Sequence, residues 1–189
     1  MDFDFIITES PRLYIREFNM DDVDAVYEYC GNAENTYYMD WGPESYDGVR
    51  TFINNKLAEQ IISPRRNFDC AICLKENGRL IGSCGITLDE KRLQADMGYI
   101  LHRDFHGKGY ASEAAGAMLR FGFMNLNLHR IYARCDSQNL ASEGVMKKIG
   151  MRKEAEFKSA CYTHVGGREQ WRSEKVYAML QKDYLLKLC

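Results

Sequence analysis

The sequence has no long apolar run. None approaches the ~20 residues that a bilayer-spanning helix needs, so no transmembrane segment is expected. It also lacks any block of like charge. Its 25 Lys and Arg stand against 27 Asp and Glu, a formal net charge of -2. That balance argues against a nucleic-acid-binding surface as the chain's main business. The first residues, Met1-Asp2-Phe3-Asp4, lack the basic start of a secretory signal, so the cytoplasm is the expected location. There is no internal repeat, no low-complexity tract and no linker that would split the chain. The seven cysteines are odd in number and mostly sit inside apolar, strand-like runs. Buried free thiols in a reducing compartment explain them better than disulfides. Cys70 and Cys73 have C-x-x-C spacing, but positions three apart on a strand face opposite sides. No second Cys or His pair supplies zinc spacing, so no metal is expected.

What is present reads as one globular domain over residues 1–189. With 46% hydrophobic and 28% charged residues, the chain is long enough to bury a real core. Residues 11 to 18 alternate, with Leu13 and Ile15 facing in, as a first strand. Asn19 caps a helix with Val23, Val26, Tyr27 and Cys30 on its stripe. Residues 31 to 44 are turn-rich and aromatic. They are either a loop pinned by rings or a substrate-pocket wall, with Tyr38 and Trp41 as the rings that would hold a cation. Ser45 caps a second helix, with Val49, Phe52, Ile53, Leu57 and Ile61 on one face, and Pro64 ends it. Strands at 68–74, 80–88 and 93–101 follow, the first two joined through the hairpin signal Asn77-Gly78. They form an antiparallel meander. After a long helix, 129–135 alternates again, and this strand–helix–strand order predicts a parallel pair. A shorter helix carries Ala141, Val145 and Ile149 and is ended by Gly150. Two tail strands turn at Gly166-Gly167, and a final helix spans 183 to 188. The whole is a mixed α/β sheet with flanking helices.

The stretch Met97 to Leu126 organises the rest. Between its strand and its helix lies His106-Gly107-Lys108-Gly109-Tyr110-Ala111. Two glycines let backbone N–H groups approach a guest closely. A helix starting straight after them aims free N–H groups and its positive dipole end at the same place. That combination suits a phosphate, although a plain turn before a helix looks the same. It is no Walker A loop, because Gly109 rather than Ser or Thr follows Lys108. A dinucleotide fingerprint is also excluded, since the third glycine is missing.

The element order and the run GYILHRDFHGKGYASEA resemble the GNAT superfamily of N-acetyltransferases. Its signature, Gln/Arg-x-x-Gly-x-Gly/Ala, is filled by His106-x-x-Gly109-x-Ala111, with histidine first. PRLYIREF near the start, Asn139-x-x-Ser142, KKIGM at 147 to 151 and Gly167…Trp171…Tyr177 are similar to the RimJ/RimL-type branch, over about residues 8 to 186. The resemblance implies a GNAT-like fold in which the strands at 93–101 and 129–135 splay apart around the pantetheine arm of acetyl-CoA. It implies that backbone groups of Tyr99, Ile100 and Leu101 pair with pantetheine, that the amides of 106 to 111 hold the pyrophosphate, and that Asn139 touches the coenzyme. The bland reading of Asn139 is a turn residue. A homodimer is compatible with the family.

Transfer to a primary amine needs a base, because a lysine-like amine has a pKa near ~10. Asp96 is the candidate, with an ordinary exposed strand carboxylate as the alternative. A free strand N–H near Tyr99 to Leu101 would meet the oxyanion. Family members often place a tyrosine seven residues after the asparagine as acid; here that position is Met146, leaving Ser142 or water. Glu113, one turn into the helix, reads as structural support. His102, His129 and His164 read as surface or packing residues. Acidic residues Glu34, Asp40, Glu44 and Asp96 lean toward a cationic acceptor, whether a protein N-terminus, a polyamine, an aminoglycoside-like compound or another amine. The other reading is a non-catalytic acyl-CoA-binding sensor or interaction module.

Overall fold

The computed structural model describes residues 6–165 and 168–188. Residues 1–5, the Gly166-Gly167 pair and Cys189 lie outside these residues. Eight strands form one sheet: β1 (Ile6–Glu9), β2 (Leu13–Arg16), β3 (Asn67–Leu74), β4 (Leu80–Leu88), β5 (Gln94–Leu101), β6 (Arg130–Asp136), β7 (Arg152–Val165) and β8 (Arg168–Leu180). Their spatial order is β1-β2-β3-β4-β5-β6-β8-β7. Every neighbouring pair is antiparallel except β5 and β6, which run parallel. The helices are α1 (Val23–Cys30), α2 (Tyr46–Gln60), α3 (Tyr110–Arg120), α4 (Leu140–Lys148) and α5 (Gln181–Leu186).

Helices cover both sheet faces, and each face has its own core. The larger one packs α3 residues such as Ala114 and Met118 on Ile15, Ile72, Ile86, Met97 and Ile131. The smaller packs Val26, Tyr29 and Ile53 of α1 and α2 on Ala71 and Cys73. Central β3 is therefore buried on both sides, Cys70 and Ile72 toward one core and Ala71 and Cys73 toward the other. Its alternation in sequence reflects which core each residue joins, not a solvent face. Five described cysteines are buried free thiols and Cys161 is half-buried.

Local chemistry sets the element ends. The side chain of Asn19 caps a short 3-10 turn at Met20–Asp22, and α1 follows it directly. Ser45 Oγ accepts from Gly48 N and starts α2. That helix stops at Gln60, so Ile61, expected on its apolar face, stands 87% exposed. Tyr27 likewise faces outward, and Tyr29 takes the buried place. The β3–β4 connection spans residues 75–79, with Gly78 at φ +75° and its N–H bonded to Leu74 O at 2.8 Å. It is longer than a two-residue hairpin. No described helix is long and apolar enough to cross a membrane.

Candidate active site

The parallel ladder between β5 and β6 has three rungs: Gln94↔Arg130, Ala95↔Ile131 and Asp96↔Tyr132. Beyond them both strands continue, to Leu101 and Asp136, without pairing. The hydrogen bond from His102 N to Ile81 O (2.8 Å) fixes the phase of β5. In an antiparallel pair, hydrogen-bonded and non-bonded residues alternate. Gly98 and Ile100 therefore spend their backbone groups on β4, opposite Gly85 and Ser83. Met97, Tyr99 and Leu101 turn theirs into the gap. Leu101 shows this directly, since its carbonyl accepts from Asn35 Nδ2 (3.0 Å) and meets His106 Nε2 at 2.9 Å. Of the three residues expected to pair with pantetheine, Tyr99 is thus the best presented. The Ile100 side chain packs on the smaller core.

A cleft of about 1240 Å³ follows the gap. At one end lie His106, Gly107, Gly109, Tyr110 and Ala111. Gly107 and Gly109 adopt φ of +73° and +82°, a region where a side chain is strained. Gly109 is the N-cap of α3 with no side-chain cap bond, so the first-turn N–H groups face the cleft free. Two cations converge there: a Cβ built on Gly109 would lie 3.5 Å from Arg12 Nη2 and 3.7 Å from Lys148 Nζ. Lys108 does not line the cleft; its ammonium sits over the Phe105 ring and its carbonyl accepts from Arg12. Lys148, which does, was not selected from the sequence. Its place in KKIGM was visible, but only the fold brings the end of α4 to the loop. Arg12 is held by Glu113, whose carboxylate also accepts from Ser10 Oγ at 2.7 Å. Burial would raise the Glu113 carboxyl, but hydrogen bonds from Ser10 and Arg12 hold it below the usual carboxylate range.

At the middle, Asn139 caps α4 by accepting from Ser142 N at 3.0 Å. Tyr99 Oη donates to the Ser142 carbonyl and lies 3.0 Å from Ser142 Oγ. Burial pushes the Tyr99 phenol well above its ordinary value. Cys135 lines the same stretch, its thiol pushed up by burial to about 11. Met146 is fully buried in the larger core and reaches none of this.

At the far end the sheet face changes. Side chains alternate along a strand. Ala95, Met97, Tyr99 and Leu101 join the core under α3, while Asp96 and Ile100 point to the α1–α2 side. Asp96 accepts from Arg134 Nη2 at 2.6 Å, and Arg134 lies 3.8 Å from Glu174. Burial raises the Asp96 carboxyl, and Arg134 pulls it back only in part. Glu174 is raised by the same burial. Asp40, Glu34 and Tyr38 complete this lining, with Glu34 paired to Arg103. Trp41 and Glu44 fall elsewhere: Trp41 packs on the smaller core, and Glu44 does not border the cleft. His102 accepts from Asp104 N in a local turn, and His129 is exposed. The side chain of His164 lies outside the described residues. No group of three or more metal-ligating side chains gathers among the described residues.

The arrangement is a slot with a cationic, amide-lined end for an anion, free strand amides along its length and carboxylates at its mouth. The sequence matches the family profile described as an acetyltransferase (GNAT) domain over residues 12–152. It is 35% identical over 176 residues to the uncharacterized N-acetyltransferase YnaD of Bacillus subtilis (strain 168), covering 92% of this chain and 96% of that protein. The structure is similar to that of a GNAT-family acetyltransferase from Bacillus anthracis, with a TM-score of 0.81, 32% identity and coverage of 94% and 99% of the two chains. Its fold is also that of the spermidine N-acetyltransferase of Vibrio cholerae, solved with CoA and spermine: TM-score 0.78, 20% identity, 92% and 98% covered.

Proposed function

This chain belongs to the GNAT acetyltransferase family and is an N-acetyltransferase, and from that premise we propose that it moves the acetyl group of acetyl-CoA to a cationic primary amine by direct attack on the thioester. The carrying observation is the gap that opens after Asp96↔Tyr132, with the amides of Tyr99 and Leu101 turned into it. An extended pantetheine arm adds there as a strand would. The amides around Gly109, with Arg12 and Lys148, suit the pyrophosphate. His106 stands at the first signature position and braces the loop through the Leu101 carbonyl. The Asn139 side-chain oxygen is spent on the helix cap, which leaves its amide nitrogen for the coenzyme. The sequence run around this loop supports the RimJ/RimL-type branch, and residues 1–189 are read as one acetyltransferase domain.

The chemistry asks little more. The amine loses its proton to Asp96, directly or through water, and burial of this carboxyl makes it a better base than a free aspartate. The Tyr99 N–H meets the developing oxyanion. Asp96 and Glu174 flank the guanidinium of Arg134, and Asp40 stands near both carboxylates. Arg66 and Arg172 also line the cleft but are engaged by the Leu88 carbonyl and Asp136, so the remaining negative charge favours a cationic acceptor over a neutral one. Tyr38 offers a ring at the mouth.

The test is coenzyme A release with acetyl-CoA and an amine panel holding spermidine, spermine and N-terminal peptides. Turnover with at least one amine is expected. Asp96→Asn lowers kcat by about 10²-fold, the usual worth of a positioned base. Gly109→Trp abolishes coenzyme A binding in calorimetry. Binding of acetyl-CoA with no turnover on any amine would favour a sensor module, and no binding at all would remove both readings.

A further inference from the structure

We propose that the phenol of Tyr99 is the hydrogen-bond donor that receives the departing thiolate, with Ser142 Oγ as its positioning partner. The inference rests on the acetyl-transfer reading of the same cleft.

When the tetrahedral intermediate collapses, the C–S bond breaks and its electron pair goes to sulfur. The C–N bond stays, and the amine proton has already left toward Asp96. A thiolate released inside a protein slot is a desolvated anion, which is costly without a donor. At the middle of the slot, three side chains with an O–H or S–H border it on the α3–α4 side: Tyr99 on β5, Cys135 on β6 and Ser142 on α4. Tyr110 and Ser112, on the first turn of α3, belong to the loop end, and the Tyr110 ring lies under the Arg12 guanidinium. Cys135 is a weak donor. Ser142 has its carbonyl and its hydroxyl both turned to Tyr99 Oη, at 3.0 Å each. That leaves the phenol as the strong donor whose O–H can swing. Rotation about its C–O bond moves the hydrogen from the Ser142 carbonyl toward the slot, while Ser142 Oγ–H goes on donating to Oη.

Sidedness supports the same assignment. Asp96 and Tyr99 are three residues apart on β5, an odd separation, so they project from opposite faces. A thioester held between β5 and β6 would meet the amine from the Asp96 side and release sulfur toward the Tyr99 side. The Tyr99 N–H and the Tyr99 phenol then serve the two atoms that gain charge, the carbonyl oxygen and the sulfur. Burial keeps the phenol protonated and makes it reluctant to give its proton up. Sulfur therefore leaves as an anion held by a hydrogen bond and takes its proton from water afterwards.

The experiment compares acetyl-CoA with acetyl-seleno-CoA, whose selenolate is a more stable anion and depends less on a donor. Single-turnover transfer to the best amine is timed for wild type, Tyr99→Phe and Ser142→Ala, with coenzyme A affinity measured by calorimetry. The expected result is a loss of about 10²-fold for Tyr99→Phe with acetyl-CoA, the scale of one lost transition-state donor. With the seleno donor the loss shrinks to a few-fold, and affinity is unchanged in both cases. Ser142→Ala keeps the ring and shows the same donor dependence at smaller size, so it decides the matter if Tyr99→Phe binds poorly. Equal losses with both donors, or no loss, would overturn the inference while leaving the acetyl-transfer reading intact. A wild-type enzyme that binds acetyl-CoA and acetylates no amine would overturn both.

Discussion

Glu143 shows how much one side chain on α4 can carry. It is 8% exposed, yet it stays ionised because three donors meet it: Lys175 Nζ at 2.8 Å, Tyr177 Oη at 2.6 Å and Lys147 Nζ at 2.9 Å. Lys175 chiefly, then Tyr177 and Lys147, hold its carboxyl down at about 2, against 4.5 for an ordinary glutamate. A depressed carboxylate stabilises the fold fully above its unfolded value, and that stabilisation is lost as pH falls through the folded one. The window is therefore about pH 4.5 to 2. In urea titrations, wild type should exceed Glu143→Gln in midpoint at pH 6, and the difference should close as pH approaches 2. A difference that persists at pH 2 would mean that the contribution is one of shape and not of charge. The site is close: the same α4 carries Ser142, so the network that clamps this helix to β8 also fixes the partner of Tyr99.

At the scale of elements, α4 separates two roles of Asn139. As N-cap its oxygen holds Ser142 N, and removing such a cap costs about 1 kcal/mol. Asn139→Asp keeps the cap and replaces the amide nitrogen with a charged oxygen. The expectation is an unchanged melting temperature with a coenzyme A affinity weakened several-fold; an unchanged affinity would leave Asn139 a cap alone. Much of this element map was legible in the sequence. β4 came out at Leu80–Leu88, β5 and β6 within a residue of their ends and α3 within a residue of its start, because their periodicity and the glycines at 107 and 109 are strong local signals. The helix expected to run to Leu126 ends at Arg120, where a π-helical turn over Phe121–Asn125 continues the chain. β1 was not seen, since four residues with one packed side chain leave too little pattern. Lys148 and the side-chain role of Tyr99 were invisible for a different reason. Each depends on a contact across the chain, Lys148 with the loop before α3 and Tyr99 with Ser142, and no periodicity encodes such a contact. Trp41 looked like a pocket ring because aromatic loops border many pockets, whereas here the smaller core needed it.

For the molecule as a whole, the three rungs between β5 and β6 are a short seam inside the sheet, matched in length only by the irregular β1–β2 pair at its edge. On one side lie β1 to β5, on the other β6 to β8. Coenzyme A that fills the seam should behave as a missing strand. At a hundredfold excess over Kd, binding adds about 2.7 kcal/mol to stability. For a domain of this size that raises Tm by about 5–10 °C. Amide exchange should slow together at Tyr99, Leu101 and the end of β6 that β5 leaves open, and protection confined to the loop before α3 would mean that the arm does not enter the gap. The odd spacing of Asp96 and Tyr99 carries a last consequence, for how this strand can change over generations. Inserting or deleting one residue between them would bring carboxylate and phenol to the same side and leave the other side bare. Only changes in steps of two preserve the arrangement, so natural length variation in this lineage should fall in the loops at either end of β5 and spare the strand itself.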